Sequence, residues 1–400
     1  MKIKTKVFSC LVLLLNVSAF AAADSYTYDC VTAEELRMRD GIPNFFVKIQ
    51  SEKEIRIAYL GGSITEANGW RVKTMAWFKQ QYPKARFVEI NAAISGTGSD
   101  FSACRLDADV LPNKPDLVFL ECRVNGGGGF ERESVEGVVR QIWRDNPQTD
   151  ICLIYTISLP MLKDIQAGKT PGFGRKMETI ANHYGIPSID LGVEIAKLEK
   201  EGKLTFKAAE PEQGKILFSK DGTHPGDEGH QIYGKIIARS MLKMQSQANV
   251  MKHTLGEPLD QNCWETASLL PVNATELSAG WVSVDEEDVN YNVKRTKDML
   301  RKAVKCNQIG ETITVRWNGT TVGFSDIPCG DGMVVEAVID GKQPITMERK
   351  QTAERKNSRF WYLPAQSPGD HEVRYTIKQL PAGESFYAGQ FLIVGTPIKR

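Results

Sequence analysis

The stretch Ile55–Leu60 runs directly into Gly61-Gly62-Ser63, so an apolar, β-rich run ends in two glycines and a hydroxyl. Two glycines let the backbone turn sharply, and a serine after a buried strand presents its hydroxyl at the carboxyl edge of the sheet. The same residues also describe an ordinary turn followed by a helix N-cap. Taken alone, the motif leaves both interpretations open, a reactive serine and a capping serine.

Around this stretch, β-rich runs alternate with helical patterns from residue 55 to about residue 245. The predicted strands are 55–60, 86–91, 116–122, 151–157 and 187–190, and the predicted helices lie near 70–82, 100–110, 131–146, 172–185, 191–201 and 226–247. Near-continuous apolar strands are typical of a parallel sheet that is covered on both faces. The alternation therefore predicts a three-layer α/β/α domain, with a site at the carboxyl ends of its strands.

The pattern changes after about residue 250. Residues 312–317, 334–339 and 371–377 alternate polar and apolar side chains with period two, and turn signals such as Asn318-Gly319 and Asp340-Gly341 separate the runs. This pattern predicts an all-β, antiparallel sandwich. We expect four segments: a leader over 1–23, the α/β domain over 24–248, a linker over 249–262 and the β-sandwich over 263–400.

Length and charge restrict the class of protein. A chain of 400 residues is too long for one ordinary core, and 25% charged with 42% hydrophobic residues is typical of a soluble globular protein. Lys+Arg total 50 against 49 Asp+Glu, so the formal charge of +1 gives no global electrostatic footprint for nucleic acid. We therefore expect no nucleic-acid partner. The oligomeric state stays open.

Residues 1–23 have the composition of an export signal. Lys2, Lys4 and Lys6 precede a mostly apolar run, which ends in small residues with A-x-A cleavage patterns at Ala21 or Ala23. The apolar part is shorter than the ~20 residues that a membrane-spanning helix needs. We predict an exported protein, periplasmic or extracellular, without a membrane span.

The cysteines do not indicate a disulfide scaffold or a metal site. Seven lie beyond residue 23: Cys30, Cys104, Cys122, Cys152, Cys263, Cys306 and Cys329. An odd number cannot pair completely within one chain, and the pairing stays open. Because the chain has no C-x-x-C or H-x-x-H pair, we predict no structural metal.

A second polar motif, Asp221-Gly222-Thr223-His224-Pro225, precedes a predicted helix. A serine nucleophile needs a base to remove its proton, and the base needs an acid that orients it. Asp221 and His224 are three residues apart on a loop, so both side chains can point into one pocket. The alternative is that Asp221 caps the helix and His224 lies on the surface.

Two further strand ends offer donors for a negatively charged oxygen. The strand 86–91 leads to Ser95-Gly96, where a glycine permits close approach of the backbone to a ligand. The strand 116–122 leads to Asn125, whose side-chain amide can donate to a developing oxyanion. Four glycines follow, but the GxxxxGK[ST] pattern is absent, so we do not predict nucleotide binding.

Taken in this order, the motifs resemble those of the SGNH (GDSL) hydrolase superfamily over about residues 50–245. The resemblance implies a flavodoxin-like α/β/α domain that hydrolyses acyl esters through a Ser-His-Asp triad without a cofactor, and it makes the sandwich an accessory domain. Ser63 would be the nucleophile, His224 the general base and Asp221 its orienting acid. The oxyanion hole would be the backbone N–H groups of Ser63 and Gly96 and the side chain of Asn125.

The chain departs from the family pattern at three positions. Gly62 stands where the family has Asp in Gly-Asp-Ser, and Arg123 and Gly126 replace the first Gly and the last Asp of Gly-x-Asn-Asp. Arg123 either faces the substrate, where it would favour an anionic group such as a uronate, or pairs with a local carboxylate.

The substrate is inferred from export, from the absence of an apolar lid-like segment and from the second domain. These features favour an acylated carbohydrate and its deacylation, most simply deacetylation, over a lipid substrate. Two alternatives stay open: a glycan-binding protein that has lost the chemistry, and a lipase or thioesterase. Trp264, Trp281, Trp317 and Trp361 either stack on sugar rings or belong to the core of the sandwich.

Overall fold

The computed structural model describes residues 26–51, 53–247, 250–328, 332–350 and 357–398. The predicted export signal and Cys329 lie outside these ranges. Within them, no helix combines the length and the apolar composition that crossing a membrane requires.

The first half of the chain contains a six-stranded sheet in the order β1-β6-β5-β4-β2-β3. Its strands, with the separate pair β7 and β8, are β1 Leu36–Arg37, β2 Glu54–Gly61, β3 Arg86–Asn91, β4 Leu117–Glu121, β5 Asp150–Tyr155, β6 Ser188–Asp190, β7 Leu204–Lys207 and β8 Ile216–Ser219. Strands β2 to β6 are parallel, and only the short edge strand β1 is antiparallel to its neighbour. The parallel strands have the order β3-β2-β4-β5-β6, which is the flavodoxin-like order. The predicted α/β fold is confirmed.

Helices cover both faces of this sheet. They are α1 Pro43–Gln50, α2 Ser63–Glu66, α3 Trp70–Gln81, α4 Ser99–Asp109, α5 Glu131–Asp145, α6 Leu162–Gln166, α7 Gly172–Tyr184, α8 Gly192–Lys200 and α9 Asp227–Met244. Because successive strand residues point to opposite faces, Tyr59 and Phe119 pack with α1, α3, α8 and α9. Leu60 and Val118 pack with α4, α5 and α7.

The second half forms a ten-stranded antiparallel sheet that folds over itself as a sandwich. Its elements are β9 Ala267–Leu270, β10 Glu276–Leu277, β11 Val282–Ser283, α10 Lys294–Leu300, β12 Val304–Cys306, β13 Thr312–Ile327, β14 Val334–Ile339, β15 Ile345–Glu348, β16 Arg359–Tyr362, β17 Gly369–Gln379 and β18 Phe386–Pro397. The long strand β13 pairs with β10, β16, β17 and β18, so it contributes to both layers. The predicted sandwich is confirmed.

One predicted turn is wrong. Asn318-Gly319 lies inside β13, where the register against β18 shifts between Gly319 and Thr321. A β-carbon built on Gly319 would lie 2.1 Å from the carbonyl oxygen of Val394. The glycine is therefore needed for the close approach of two strands at a bulge rather than for a turn.

The two halves share one apolar cluster. The buried side chains that pack with α4 and α5 include Trp264, Leu300 and Leu392 from the second half. The connecting residues 250–262 form no helix or strand, yet Glu136 of α5 accepts the backbone N–H groups of Leu259 and Asp260. The sandwich is thus packed directly on one helical layer of the α/β domain.

Candidate active site

The nucleophile turn lies at the carboxyl end of β2, between its parallel neighbours β3 and β4. Gly62 is the N-cap of α2, and Ser63 is the first residue of that helix. A β-carbon on Gly62 would lie 2.1 Å from Oδ1 of Asn125, so glycine leaves the space that the asparagine fills. This contact explains why a side chain is absent at the position where the family has Asp.

A buried carboxylate lies beneath this turn. Glu121, the last residue of β4, is fully buried and accepts hydrogen bonds from Thr65 Oγ1 (2.8 Å) and Thr156 Oγ1 (2.7 Å). Burial raises the pKa of Glu121, while the hydrogen bonds from Thr156, Thr65 and the Gly62 N–H act in the opposite direction. Glu121 thereby links the helix that begins with Ser63 to the ends of β4 and β5.

Ser63, His224 and Asp221 form a continuous hydrogen-bonded chain. The distance from Ser63 Oγ to His224 Nε2 is 2.8 Å, and His224 Nδ1 lies 2.6 Å from Asp221 Oδ2. The sequence places these groups 161 residues apart, and the loop between β8 and α9 brings the imidazole to the serine. The side chains of His224 and Asp221 are 51% and 56% exposed, so this group of three side chains is open to solvent on one side.

Asp221 is held in place by its own loop. Its Oδ1 accepts the backbone N–H groups of Thr223 and His224 at 2.8 Å each and the hydroxyl of Ser219 at 3.0 Å. Burial alone would raise the pKa of Asp221, but the hydrogen bonds from His224, Thr223 and Ser219 outweigh it and hold the pKa well below its ordinary range. The carboxylate is therefore ionised and can hold the Nδ1 proton of the imidazole.

Three donors surround the nucleophile turn. The N–H of Ser63, the N–H of Gly96 and the side-chain amide of Asn125 have no acceptor among the residues described. The Ile94 N–H donates to the Gly61 carbonyl at 3.0 Å, which fixes the Gly96 loop beside the turn. Gly96 has φ +71°, a left-handed conformation that favours glycine.

The loops that carry Gly96 and Asn125 are also tied to each other. The N–H of Ser99 donates to the Gly126 carbonyl at 3.0 Å. A β-carbon on Gly98 would lie 2.2 Å from the same carbonyl oxygen, so the two loops are in close contact. The ends of β2, β3 and β4 thus converge, as the sequence predicted for a site at the carboxyl edge of a parallel sheet.

Arg123 does not face a substrate. It is buried, and its guanidinium makes a bidentate pair with Asp190 at 2.5 and 2.8 Å and donates to the Thr156 carbonyl at 2.8 Å. The structure therefore corrects the substrate-binding expectation and supports the alternative of a local carboxylate partner. The reason is topological, because β4 and β6 end on either side of β5 and the long arginine side chain reaches across.

Histidines elsewhere in the chain have structural partners. His230 in α9 accepts the N–H of Trp70 at Nδ1, and burial, with Lys73 nearby, lowers its pKa to about 4. His253 stacks on Trp143 at 4.3 Å and lies 2.8 Å from an oxygen of Asp150.

The tryptophans of the second half are not exposed platforms. Trp264 and Trp317 are buried, whereas Trp281 and Trp361 are half-buried. The indole N–H of Trp281 donates to the Thr312 carbonyl at 3.0 Å, and Trp361 packs against Phe324 inside the sandwich. These positions support the core interpretation over sugar stacking.

Sequence reasoning missed Glu121 and two residues outside the α/β domain: Arg295, which donates to Ser95 of the Gly96 loop, and Lys294, which pairs with Glu66 of α2. The sequence does contain an indication of Glu121, because this carboxylate ends the otherwise apolar strand 117–121. Lys294 and Arg295 had none, since nothing local to α10 indicates which loop the helix contacts.

The flavodoxin-like domain and the hydrogen-bonded side chains at the carboxyl edge of its sheet are those of an ester-cleaving enzyme. The protein is a carboxylic ester hydrolase. The family model described as GDSL-like Lipase/Acylhydrolase matches residues 59–232, and this part of the chain resembles that family. The matched range contains Ser63, Gly96, Asn125, Asp221 and His224. No curated protein matches the chain significantly.

Two solved structures share the fold over nearly the whole chain. A two-domain esterase (CEX) active on acetylated mannans, co-crystallised with mannopentaose, is 20% identical and superposes with a TM-score of 0.72, covering 92% of this chain and 100% of that one. A second structure of a two-domain esterase (CEX) active on acetylated mannans is 19% identical, with a TM-score of 0.71 over 91% and 100% of the two chains. The acetylxylan esterase Axe2 from Geobacillus stearothermophilus is 18% identical and covers 47% of this chain and 94% of its own, with a TM-score of 0.35.

Proposed function

We propose that the protein is an exported serine esterase that removes acetyl groups from a carbohydrate. The observation that carries the proposal is the hydrogen-bonded series from Ser63 Oγ through His224 to Asp221, with three donors beside Ser63 that have no acceptor in the described parts of the chain. A serine, a base, an orienting acid and an oxyanion hole are the complete set that acyl transfer by a serine requires.

In this mechanism, His224 Nε2 removes the proton of Ser63 as Oγ attacks the ester carbonyl and forms a new C–O bond. The carbonyl oxygen becomes an oxyanion, which the N–H groups of Ser63 and Gly96 and the amide of Asn125 stabilise. His224 then returns the proton to the leaving sugar hydroxyl as the ester C–O bond breaks. Water enters by the same route, with His224 as base, and releases acetate and the free serine.

Several features support a carbohydrate substrate. The site opens to solvent at His224 and Asp221, which suits an acetyl group displayed on a polymer. The two-domain esterases that share the fold of this chain are active on acetylated mannans. Export, proposed from residues 1–23, would bring the enzyme to extracellular or periplasmic polysaccharide.

The departure at Gly62 no longer favours a binding protein that has lost the chemistry. The absence of a side chain at Gly62 leaves space for Asn125, and Glu121 accepts a hydrogen bond from Thr65 of the same turn. The turn that carries the nucleophile is therefore supported without an Asp at position 62. Catalysis therefore remains the function that the site favours.

The test is acetate release from a panel of acetylated polysaccharides, including mannan and xylan. The wild type should release acetate, and Ser63→Ala should release none. Ser51→Ala, which alters an exposed serine whose hydroxyl donates to the Lys48 carbonyl, should behave as the wild type. Labelling of Ser63 by a fluorophosphonate would support the enzyme. Glycan binding without labelling would support the binding protein, and faster cleavage of long-chain esters than of acetyl esters would support a lipase or thioesterase.

Export has its own test. Expression of the full chain in a bacterium should place the protein outside the cytoplasm, with a mature N-terminus immediately after Ala21 or Ala23 by mass spectrometry. An intact N-terminus on cytoplasmic protein would contradict the export proposal without affecting the chemistry.

A further inference from the structure

We infer that Arg295 of the sandwich domain is a positioning residue for the oxyanion donor at Gly96, an inference that rests on the proposed esterase function. Arg295 lies on α10, which is separated from Gly96 by about half the chain. Its Nε donates to the carbonyl oxygen of Ser95 at 2.7 Å. The accessory domain would then complete the catalytic site rather than serve only to bind glycan.

The geometry of the peptide bond connects this contact to the oxyanion hole. The carbonyl of Ser95 and the N–H of Gly96 belong to one planar trans peptide, so they point in opposite directions. A donor that fixes the carbonyl on one side also fixes the direction of the N–H on the other. Hydrogen bonding to the carbonyl additionally polarises the peptide and makes its N–H a stronger donor.

Arg295 is itself held firmly. Its Nη1 donates to the carbonyl oxygen of Ser358 at 2.7 Å and to the Ser358 hydroxyl at 2.8 Å. A β-carbon built on Gly96 would lie 3.1 Å from Nη2, so the guanidinium lies against the Gly96 backbone. Because Ser358 is fully buried, Arg295 joins an interior residue of the sandwich domain to the loop.

The opposite end of Ser95 is held by the nucleophile helix. The Ser95 N–H donates to Glu66 Oε2 at 2.9 Å, and Lys294 Nζ lies 2.7 Å from Glu66 Oε1. Glu66 is the last residue of α2, which begins at Ser63. The side chain of Lys294 is 71% exposed and also contacts Asp298, so we assign it a smaller contribution than Arg295.

The charge of Arg295 is also available to the site. In the described ranges, Arg295 forms no salt bridge with a carboxylate, and its bonds go to carbonyl and hydroxyl oxygens. An arginine remains protonated throughout the working pH range. A fixed positive charge behind the donor peptide favours the negative charge that develops in the transition state.

The experiment compares Arg295→Gln with Arg301→Gln, using an acetyl ester of nitrophenol. Arg301 also lies at the contact between the domains, where it pairs with Asp109 at 2.5 Å, but it does not contact Ser95. Arg295→Gln should lower kcat by about 10- to 100-fold with KM nearly unchanged, since the loss is in the orientation of a transition-state donor. Arg301→Gln should keep the kcat of the wild type, and both variants should show a similar change in Tm.

Arg295→Lys separates geometry from a general loosening of the fold. A lysine can still donate to Ser95 but cannot also hold Ser358, so kcat should recover only in part. An unchanged kcat in Arg295→Gln, or an equal loss in Arg301→Gln, would overturn the inference. If the wild type is inactive and is not labelled by a fluorophosphonate, the proposed function is contradicted as well. If the wild type is active and Arg295→Gln has the same kcat, only this inference is contradicted.

Discussion

Asn125 fills the space in which any side chain at position 62 would lie, since a β-carbon on Gly62 would come within 2.1 Å of Asn125 Oδ1. The nucleophile turn therefore packs directly against the side chain of an oxyanion donor. The size of residue 62 therefore controls the position of the Asn125 amide.

Gly62→Ala should displace Asn125 and lower kcat. Loss of one oxyanion donor costs on the order of 10²–10³ in turnover, so Gly62→Ala and Asn125→Ala should fall in the same range on an acetyl ester. Gly256→Ala is the matched control, because a β-carbon there contacts nothing within 4 Å.

The double variant provides the stricter measurement. If both changes remove the same donor, kcat of Gly62→Ala/Asn125→Ala should equal that of either single variant, which is the signature of groups that act as a unit. Multiplicative losses would show that residue 62 acts on something other than Asn125.

Glu121→Gln should weaken both stability and turnover. The amide retains one acceptor oxygen, so the hydroxyl proton of either Thr65 or Thr156 loses its acceptor, and an unsatisfied buried donor costs about 1–3 kcal/mol. Urea unfolding should show the lower stability, and kcat should fall in protein that is still fully folded. Preserved kcat would restrict Glu121 to a purely structural role.

Asp221→Asn should remove most activity and change the acid stability profile. The amide favours the wrong imidazole tautomer, and we expect a loss of about 10⁴ in kcat. Because the pKa of Asp221 is lowered on folding, its stabilisation is fully present above its ordinary value of about 3.9 and is lost as the pH falls further.

Thermal unfolding between pH 2 and pH 8 checks the second part. The Tm difference between wild type and Asp221→Asn should be constant above about pH 5 and should narrow towards acid. A difference that grows on acidification would mean that folding does not lower the pKa of Asp221.

Arg123→Met should destabilise the protein without changing its preference for substrate charge. Removing one partner of a buried ion pair costs about 3–5 kcal/mol, because Asp190 would be left uncompensated. Urea unfolding should show this loss, and Arg123→Met/Asp190→Leu should recover part of it. A selective loss of activity on uronate-containing substrates would restore the substrate-binding interpretation.

The sequence predicted the five parallel strands and the six longest helices that follow β2 in the α/β domain closely, because each depends on local pattern. The strand predicted over 86–91 is observed as Arg86–Asn91, and the helix predicted over 70–82 is observed as Trp70–Gln81. The positions of Ser63, Gly96 and Asn125 followed from strand ends, since the carboxyl ends of parallel strands meet at one edge. His224 was predicted instead from the Asp-x-x-His-Pro motif that precedes α9.

What the sequence did not predict depends on partners far along the chain. Asn318-Gly319 has the composition of a turn, but pairing with Gly395 makes it part of a strand. Arg123 was ambiguous because its partner Asp190 is 67 residues away. The contact of Arg295 with the Gly96 loop could not be predicted for the same reason, since it depends on how the two domains pack.

The apolar cluster that Trp264, Leu300 and Leu392 share with α4 and α5 has a consequence for the evolution of such chains. Domains that are connected only by a linker can be recombined independently during evolution. These two domains cannot be separated without exposing their shared apolar cluster to water. Heating should therefore melt them in a single cooperative step, and substitutions in the sandwich should be inherited together with changes in the helical layer that it covers.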